Sequence, residues 1–268
     1  MSTPPADMAA RRMRGLDRAF EILDFLRVRR RPMRPNEIAI AIGAPRSSVY
    51  ELTNLLLRHG MLDHQGGDGR VFLGRKLYFL GAAYADCFDL LREADHLLVR
   101  LSEETSETAQ LCMLDGNKYT VATMREGPRP FRISTTVGET VPLPWTASGR
   151  LLVSHMSDTE ILAFIPPEDF VLPNGTRIAE ATFIAETRQA ERDGYFTFNS
   201  AMGTFTHCFA APVRQDGGQC VATLCLITPK EDGLANRQSY LECLTEAARE
   251  LSEKLGWASH REDVGRFA

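Results

Sequence analysis

The stretch that most restricts what this chain can fold into runs from residue 35 to 73. "PNEIAIAIG" begins with a proline suited to a first helical turn, sets Ile38, Ala39 and Ile42 on one face, and stops at Gly43. "APRSSVYELTNLLLRHG" follows, with Val49, Leu52 and Leu56 on one stripe and Gly60 at its end. "MLDHQ" and "RVFLG" then flank Gly66, Gly67, Asp68 and Gly69, a turn for residues with positive φ. Helix, turn, second helix and β-hairpin in this order predict a winged helix-turn-helix, whose second helix fits the major groove of duplex DNA.

The charge distribution agrees with that reading. Residues 1–80 carry 14 Lys/Arg against 8 Asp/Glu, a net of +6, whereas the other 188 residues carry 17 against 27, a net of -10. A basic head on an acidic body suits a chain that meets phosphate at one end only. Arg46, Ser47 and Ser48 occupy the first turn of the second helix, and Tyr50, Glu51 and Asn54 follow on its outer face. Arg46 can fork onto guanine, Asn54 onto adenine, and Glu51 can accept from a cytosine amino group. Ser47 and Ser48 fit either base contact or helix capping. Arg18 in the first helix and Arg70 in the wing are expected to touch phosphate, which fixes register without reading sequence.

Periodicity divides the remainder. Residues 1–13 lack it and read as a flexible arm; 14–75 form the DNA-binding domain, with a first helix over 16–28 carrying Leu16, Ala19, Phe20, Leu23 and Leu26. Residues 76–90 read as a linker helix whose Leu77, Tyr78, Leu80, Tyr84 and Phe88 need a cover, most simply a second copy. From 91 to 258 a second domain is expected, followed by a tail over 259–268. Within it, helices are predicted near 92–104, 146–156, 176–193 and 235–256, and strands at 109–115, 118–125, 130–135, 204–214 and 219–228. Ser157 and Glu160 fit a capping box for a further short helix, and a Pro/Gly loop spans 166–175. Hairpins with segregated helices make this an α+β fold with an antiparallel sheet.

Several function classes receive no support. The six cysteines (Cys87, Cys112, Cys208, Cys220, Cys225, Cys243) form no CxxC pair, and the six histidines have no ligand spacing. His207 and Cys208 are neighbours on a predicted strand and point to opposite faces, so they cannot act as base and nucleophile. No catalytic residues, metal or cofactor are expected, and the chain is not read as an enzyme. Without a membrane-length apolar segment or a signal-peptide core, it is read as a reduced, cytoplasmic protein with no membrane partner.

The blocks "RGLDRAFEILDFL", "PRSSVYELTNLLLRHGMLD", "GRVFLGRKLYFLG", "GETVPLPWTASGRLLVSHM" and "RDGYFTFNSAMGTFTHCFAAPVRQDGGQCVATLCLITP" together resemble the IclR family of bacterial transcriptional regulators over nearly the full length. The resemblance implies a GAF-like effector domain of about six antiparallel strands and assembly as dimers or dimers of dimers. It puts an effector pocket between the 146–156 helix and the strands carrying Cys208 and Cys225. On that basis Trp145, Ala147, Ser148, Gly149, Phe198, Phe205, Cys208, Cys225 and Ile227 are candidate effector-binding residues. Cys225 and Ile227 share a strand face, free N–H groups at the start of a helix favour a carboxylate, and Trp145, Phe198 and Phe205 fit either an apolar wall or plain core. The chain departs from the family's usual residues at Pro144 and Arg150 (histidine and lysine) and at Glu51 (a basic residue); Phe198 stands where a well-studied type of member has an aspartate beside its ligand, and Cys225 and Ile227 where serines often face the effector. The expectation is a DNA-binding transcriptional regulator of IclR type. Its operator affinity would be controlled by a small organic acid, more apolar or aromatic than a short keto acid. The alternative is a ligand sensor that uses its winged helix for protein contacts.

Overall fold

The computed structural model describes residues 6–87, 89–129, 135–199 and 205–257. The chain divides into two compact units, 1–87 and 88–268, with the boundary inside the expected linker segment. The first contains α1 (Ala6–Arg29), α2 (Pro35–Ala41), α3 (Arg46–Arg58), the hairpin β1 (Leu62–Gln65) and β2 (Arg70–Leu73), and α4 (Arg75–Cys87). Ile22, Leu26, Ile38, Val49, Leu62 and Val71 are its sealed core. Leu62 faces Leu73 and Gln65 faces Arg70 across the hairpin, leaving a four-residue tip in which Gly66 and Gly69 both take φ of +76°. Met33 bridges to Val71, so the segment between α1 and α2 adds a third edge to the wing.

Two expectations for α1 need correction. The helix begins at Ala6, so residues 6–13 are helical and not part of an irregular arm. Its buried stripe is Ala19, Ile22 and Leu26, while Leu16 and Phe20 are 58% and 55% exposed. At 3.6 residues per turn these two lie about 60–100° round the axis from Ala19, past the edge of the face that meets the core. Apolar spacing alone did not distinguish the two overlapping stripes. On α4, Tyr78, Phe79 and Leu80 are exposed, while Tyr84 and Phe88 fall outside the described side chains.

The second unit is built on a six-stranded antiparallel sheet. After α5 (Asp89–Thr105) come β3 (Thr108–Asp115) and β4 (Lys118–Arg125), then β5 (Thr140–Pro142), α6 (Ala147–Leu152), α7 (Asp158–Phe164) and α8 (Glu180–Asp193). The chain continues through β6 (Phe196–Asn199), β7 (Thr206–Arg214), β8 (Cys220–Pro229), α9 (Lys230–Ala235) and α10 (Arg237–Lys254). Spatial order is β5-β4-β3-β8-β7-β6. One face, with Ala109, Leu111, Phe209, Ala211, Leu224 and Leu226, packs with residues of α5 and α10. The other, with Cys112, Val121, Ala210 and Cys225, packs with residues of α6 and α8 such as Leu151 and Phe183. Alternation along each strand produces this division.

The hairpin turn at Gly116 and Asn117 and the Ser157/Glu160 capping box are as the sequence predicts. Other bounds move. The helix expected over 146–156 is confined to Ala147–Leu152, with a 3-10 turn at Leu143–Trp145 before it. The helix expected from 176 starts at Glu180, because Val171 bridges Arg177 and holds the preceding chain extended. The closing helix expected over 235–256 is α10, Arg237–Lys254, and a short helix not anticipated, α9, precedes it at Lys230–Ala235. Residues 130–134 of one expected strand lie outside the described residues, as does the 259–268 tail; β5 and β6, short and only partly buried, were not anticipated. Ile22 is completely buried between α1 and its neighbours. Ile22→Ala is therefore expected to destabilise the N-terminal unit by about 2–5 kcal/mol, read as an earlier denaturant transition of the full-length protein. A loss under about 1 kcal/mol would contradict that burial.

Candidate nucleic-acid interface and effector face

The nucleic-acid candidates stand on α3 and its flanks. Pro45 is the N-cap of α3, so Ser47 and Ser48 lie inside the first turn and neither serves as the cap. Arg46, Ser47, Tyr50, Glu51 and Asn54 are exposed along one side, while Val49, Thr53 and Leu56 anchor the opposite side in the core. Among the described residues no ion pair engages Arg46. Arg70 is exposed on the wing, with Nε 3.0 Å from an Asp68 carboxylate oxygen. Arg18 is only half exposed and sits 3.9 Å from Glu21. Asp63 accepts the backbone N–H of Arg75 at 3.0 Å, fixing the end of the wing to the start of α4.

The effector candidates do not all come together. Ser148, Cys225, Cys208, Ile227 and Phe198 come together on the α6 side of the sheet. Ser148 Oγ lies 2.7 Å from Cys225 Sγ and accepts from Thr223 Oγ1 at 2.7 Å. Cys208 faces Ile227 on one neighbouring strand and Phe198 on the other. Ala147 and Gly149 pack without offering functional groups: a Cβ on Gly149 would lie 2.1 Å from the Leu143 carbonyl oxygen, so only glycine lets α6 approach that turn. The Gly149 N–H is already taken by Thr146 Oγ1 at 3.0 Å, which removes one donor expected to be free for an anion. Trp145 donates its indole N–H to the Asp169 carbonyl at 2.7 Å, and its ring is half-buried. Phe205 is the clear miss: it is 81% exposed at the head of β7 and walls nothing. Alternation extended back from β7 sets position 205 on the face of His207 and Phe209, opposite the one that carries Cys208, so this ring was never aimed at the candidate site.

Other residues of this face were not anticipated. Cys112 Sγ is 3.0 Å from the Tyr119 hydroxyl, which donates to Gln110 Oε1 at 3.3 Å; Gln110 in turn donates to Thr135 Oγ1. The signal was present as polar side chains at every second position, Gln110 and Cys112 on β3 and Thr223 and Cys225 on β8, in otherwise apolar strands. Arg150 is the other omission. It is 1% exposed, donates to Glu186, to the Pro144 carbonyl at 2.9 Å and to the Thr146 carbonyl at 2.6 Å. Its guanidinium also lies 4.7–5.2 Å from the ring centres of Phe183, Phe196 and Phe198. It thus ties α6, α8 and β6 together through one charge whose donors are nearly all used. Burial lowers its pKa, and Glu186 opposes the shift.

The thiols differ in ionisation. Burial pushes Cys208 and Cys220 up to about 12 and raises Cys112 and Tyr119 well above their ordinary values. Burial acts on Cys225 too, but hydrogen bonds from Cys112, Ser148 and Thr223 outweigh it and bring its pKa below the ordinary thiol value. His207 packs edge-on against Phe209, with ring centres 4.7 Å apart, on the sheet face opposite Cys208. Burial, then Arg237 and Lys230, lower its pKa. At pH 8, a thiol near 12 is about a thousandfold less ionised than one at 9.0. Alkylation of the native protein should therefore leave Cys208 and Cys220 unlabelled while the denatured chain labels fully. Equal labelling rates in peptide mass maps of both states would refute the assigned burial.

Comparison with known proteins gives a consistent result. The family model for the bacterial transcriptional regulator IclR C-terminal domain matches residues 82–253, and that for the IclR helix-turn-helix domain matches residues 15–66. The Escherichia coli K12 regulator XynR is 25% identical over 91% of this chain and 98% of its own length. The E. coli K12 repressor AllR is 22% identical, with 94% of each chain covered. Among solved structures, an IclR homolog from Microbacterium hydrocarbonoxydans, complexed with 4-hydroxybenzoate, has a TM-score of 0.78 at 22% identity, covering 90% of this chain and 99% of its own. The Thermotoga maritima IclR has a TM-score of 0.68 at 25% identity, covering 91% of this chain and all of its own.

Proposed function

Because the chain belongs to the IclR family of bacterial transcriptional regulators, we propose that it reads an operator with the outer face of α3 and that a small organic acid held on the α6 face of the sheet controls that reading. The observation that carries the first half is Arg46, exposed at the first turn of α3 without an ion pair among the described residues. Arg46 reads guanine, Asn54 adenine and Glu51 a cytosine amino group, with Ser47, Ser48 and Tyr50 filling the contact. Arg18 and Arg70 hold the backbone and set register. The protein works as a regulator in the cytoplasm and catalyses nothing. Tyr78, Phe79 and Leu80 on α4, all more than half exposed, are covered by a second copy of the chain, in a dimer or a dimer of dimers.

For the effector, the Ser148 hydroxyl, Thr223, Tyr119 and Gln110 supply polar contacts, while Phe198, Ile227, Cys208 and Cys225 make the surroundings apolar. That mixture suits an aromatic or otherwise apolar carboxylate better than a two- or three-carbon keto acid. The 4-hydroxybenzoate bound by the Microbacterium homolog is of this class. Coupling to DNA is then a difference in the effector's affinity for two arrangements of the protein, typically about 1–3 kcal/mol.

Arg46→Ala is expected to cost about 1–3 kcal/mol on the matched operator and to relax one base position; equal losses on matched and mutated operators would remove its base-reading role. In calorimetry with a panel of aromatic and short aliphatic acids, an aromatic acid should bind and shift operator affinity. Binding of glyoxylate or pyruvate alone would overturn the effector class.

A further inference from the structure

The wing tip has an unusual composition for a surface that approaches a polyanion. Three of its four residues are Gly66, Gly67 and Gly69, so its only side chain is the Asp68 carboxylate. That carboxylate lies between two arginines from different elements: Oδ2 is 3.0 Å from Arg70 Nε on β2 and 3.4 Å from Arg34 Nη2 at the entry to α2. Arg34 Nε also donates to the Asp68 carbonyl oxygen at 3.2 Å. The side chains of all three residues remain 43–53% exposed. An ion pair so open to water stabilises a fold little. Its larger consequence is electrostatic, because the trio presents a net charge of +1 to a duplex instead of +2. A phosphate seeking either guanidinium must displace Asp68 or tolerate it alongside.

We propose that Asp68 is a charge clamp that holds Arg34 and Arg70 back from the DNA backbone and so keeps the protein's affinity for duplex of arbitrary sequence low. Specificity is a ratio of matched to unmatched binding, and backbone contacts dominate the unmatched term. A carboxylate that masks two backbone-binding cations therefore raises the ratio without touching a base. Once the operator has seated α3, local phosphate competes for the arginines at close range and the clamp opens. This role rests on the DNA-binding reading above and adds to it a residue that acts by repulsion.

The test measures binding of the full-length protein to a random-sequence duplex of about 30 base pairs by fluorescence anisotropy, across roughly 50–200 mM salt. Asp68→Asn keeps a residue at home in a turn and is expected to bind that duplex about tenfold tighter, with a log–log salt slope steeper by about one to two. Adding Arg34→Gln and Arg70→Gln to Asp68→Asn should abolish the gain. Unchanged or weaker binding by Asp68→Asn, at an unchanged melting temperature, overturns the clamp, as does a gain that survives loss of both arginines. Salt-dependent binding by the wild type together with either result leaves the DNA-binding reading standing. Binding by neither protein at the lowest salt overturns both.

Discussion

Strand alternation across β3, β8 and β7 is the constraint on which the second unit depends. Each strand is largely apolar, yet its two faces differ in kind. Leu111, Leu224, Leu226 and Phe209 form a hydrocarbon layer with α5 and α10 residues, while Gln110, Cys112, Thr223 and Cys225 form a layer of small, weakly polar groups on the other side. The first layer gives cohesion through burial at about 25 cal/mol per Å². The second gives less, since each hydroxyl, amide and thiol must keep a partner once water is gone. The hydrogen bonds among Thr223, Ser148 and Cys225, and among Cys112, Tyr119 and Gln110, meet that requirement. A one-residue slip of β8 would exchange the two layers and leave these groups against leucine.

The same economy of polar groups explains Arg150. A guanidinium buried alone would be strongly unfavourable, but here two backbone carbonyls, Glu186 and three phenyl rings surround it. With most donors engaged, it acts as a rivet between α6, α8 and β6. The candidate effector face thereby receives its shape from a charged residue that does not itself present a free charge. In the first unit charge has the opposite disposition: Arg34, Arg46 and Arg70 lie at the surface, and the Asp68 carboxylate stands between Arg34 and Arg70.

Much of the architecture was legible because it rests on local rules. Prolines, glycines and apolar spacing marked α2, α3 and the wing, and turn residues marked the β3–β4 and β7–β8 hairpins. Legibility failed where two local signals coexisted. On α1, Leu16 and Phe20 continue an apolar stripe that the core does not use, since Ala19, Ile22 and Leu26 face α3 and the wing. Phe205 likewise has an apolar side chain and falls within an expected strand, but it stands one residue before β7 and is largely exposed. The site was half legible. Ser148 and Cys225 were named, whereas Thr223, Cys112, Tyr119 and Gln110 were not, because partners drawn from different strands have no mark in the order of the chain.

The sequence by itself determined the segment order, the basic head and acidic body, the hairpin turns and the family, because composition, turn chemistry and periodicity act over a few residues. Tertiary structure decided which of two stripes on α1 is buried, which polar side chains meet across β3, β8 and α6, and that Arg34, from before α2, reaches the wing tip. Those outcomes depend on distances between residues far apart in the chain, and such distances exist only once the layers have packed.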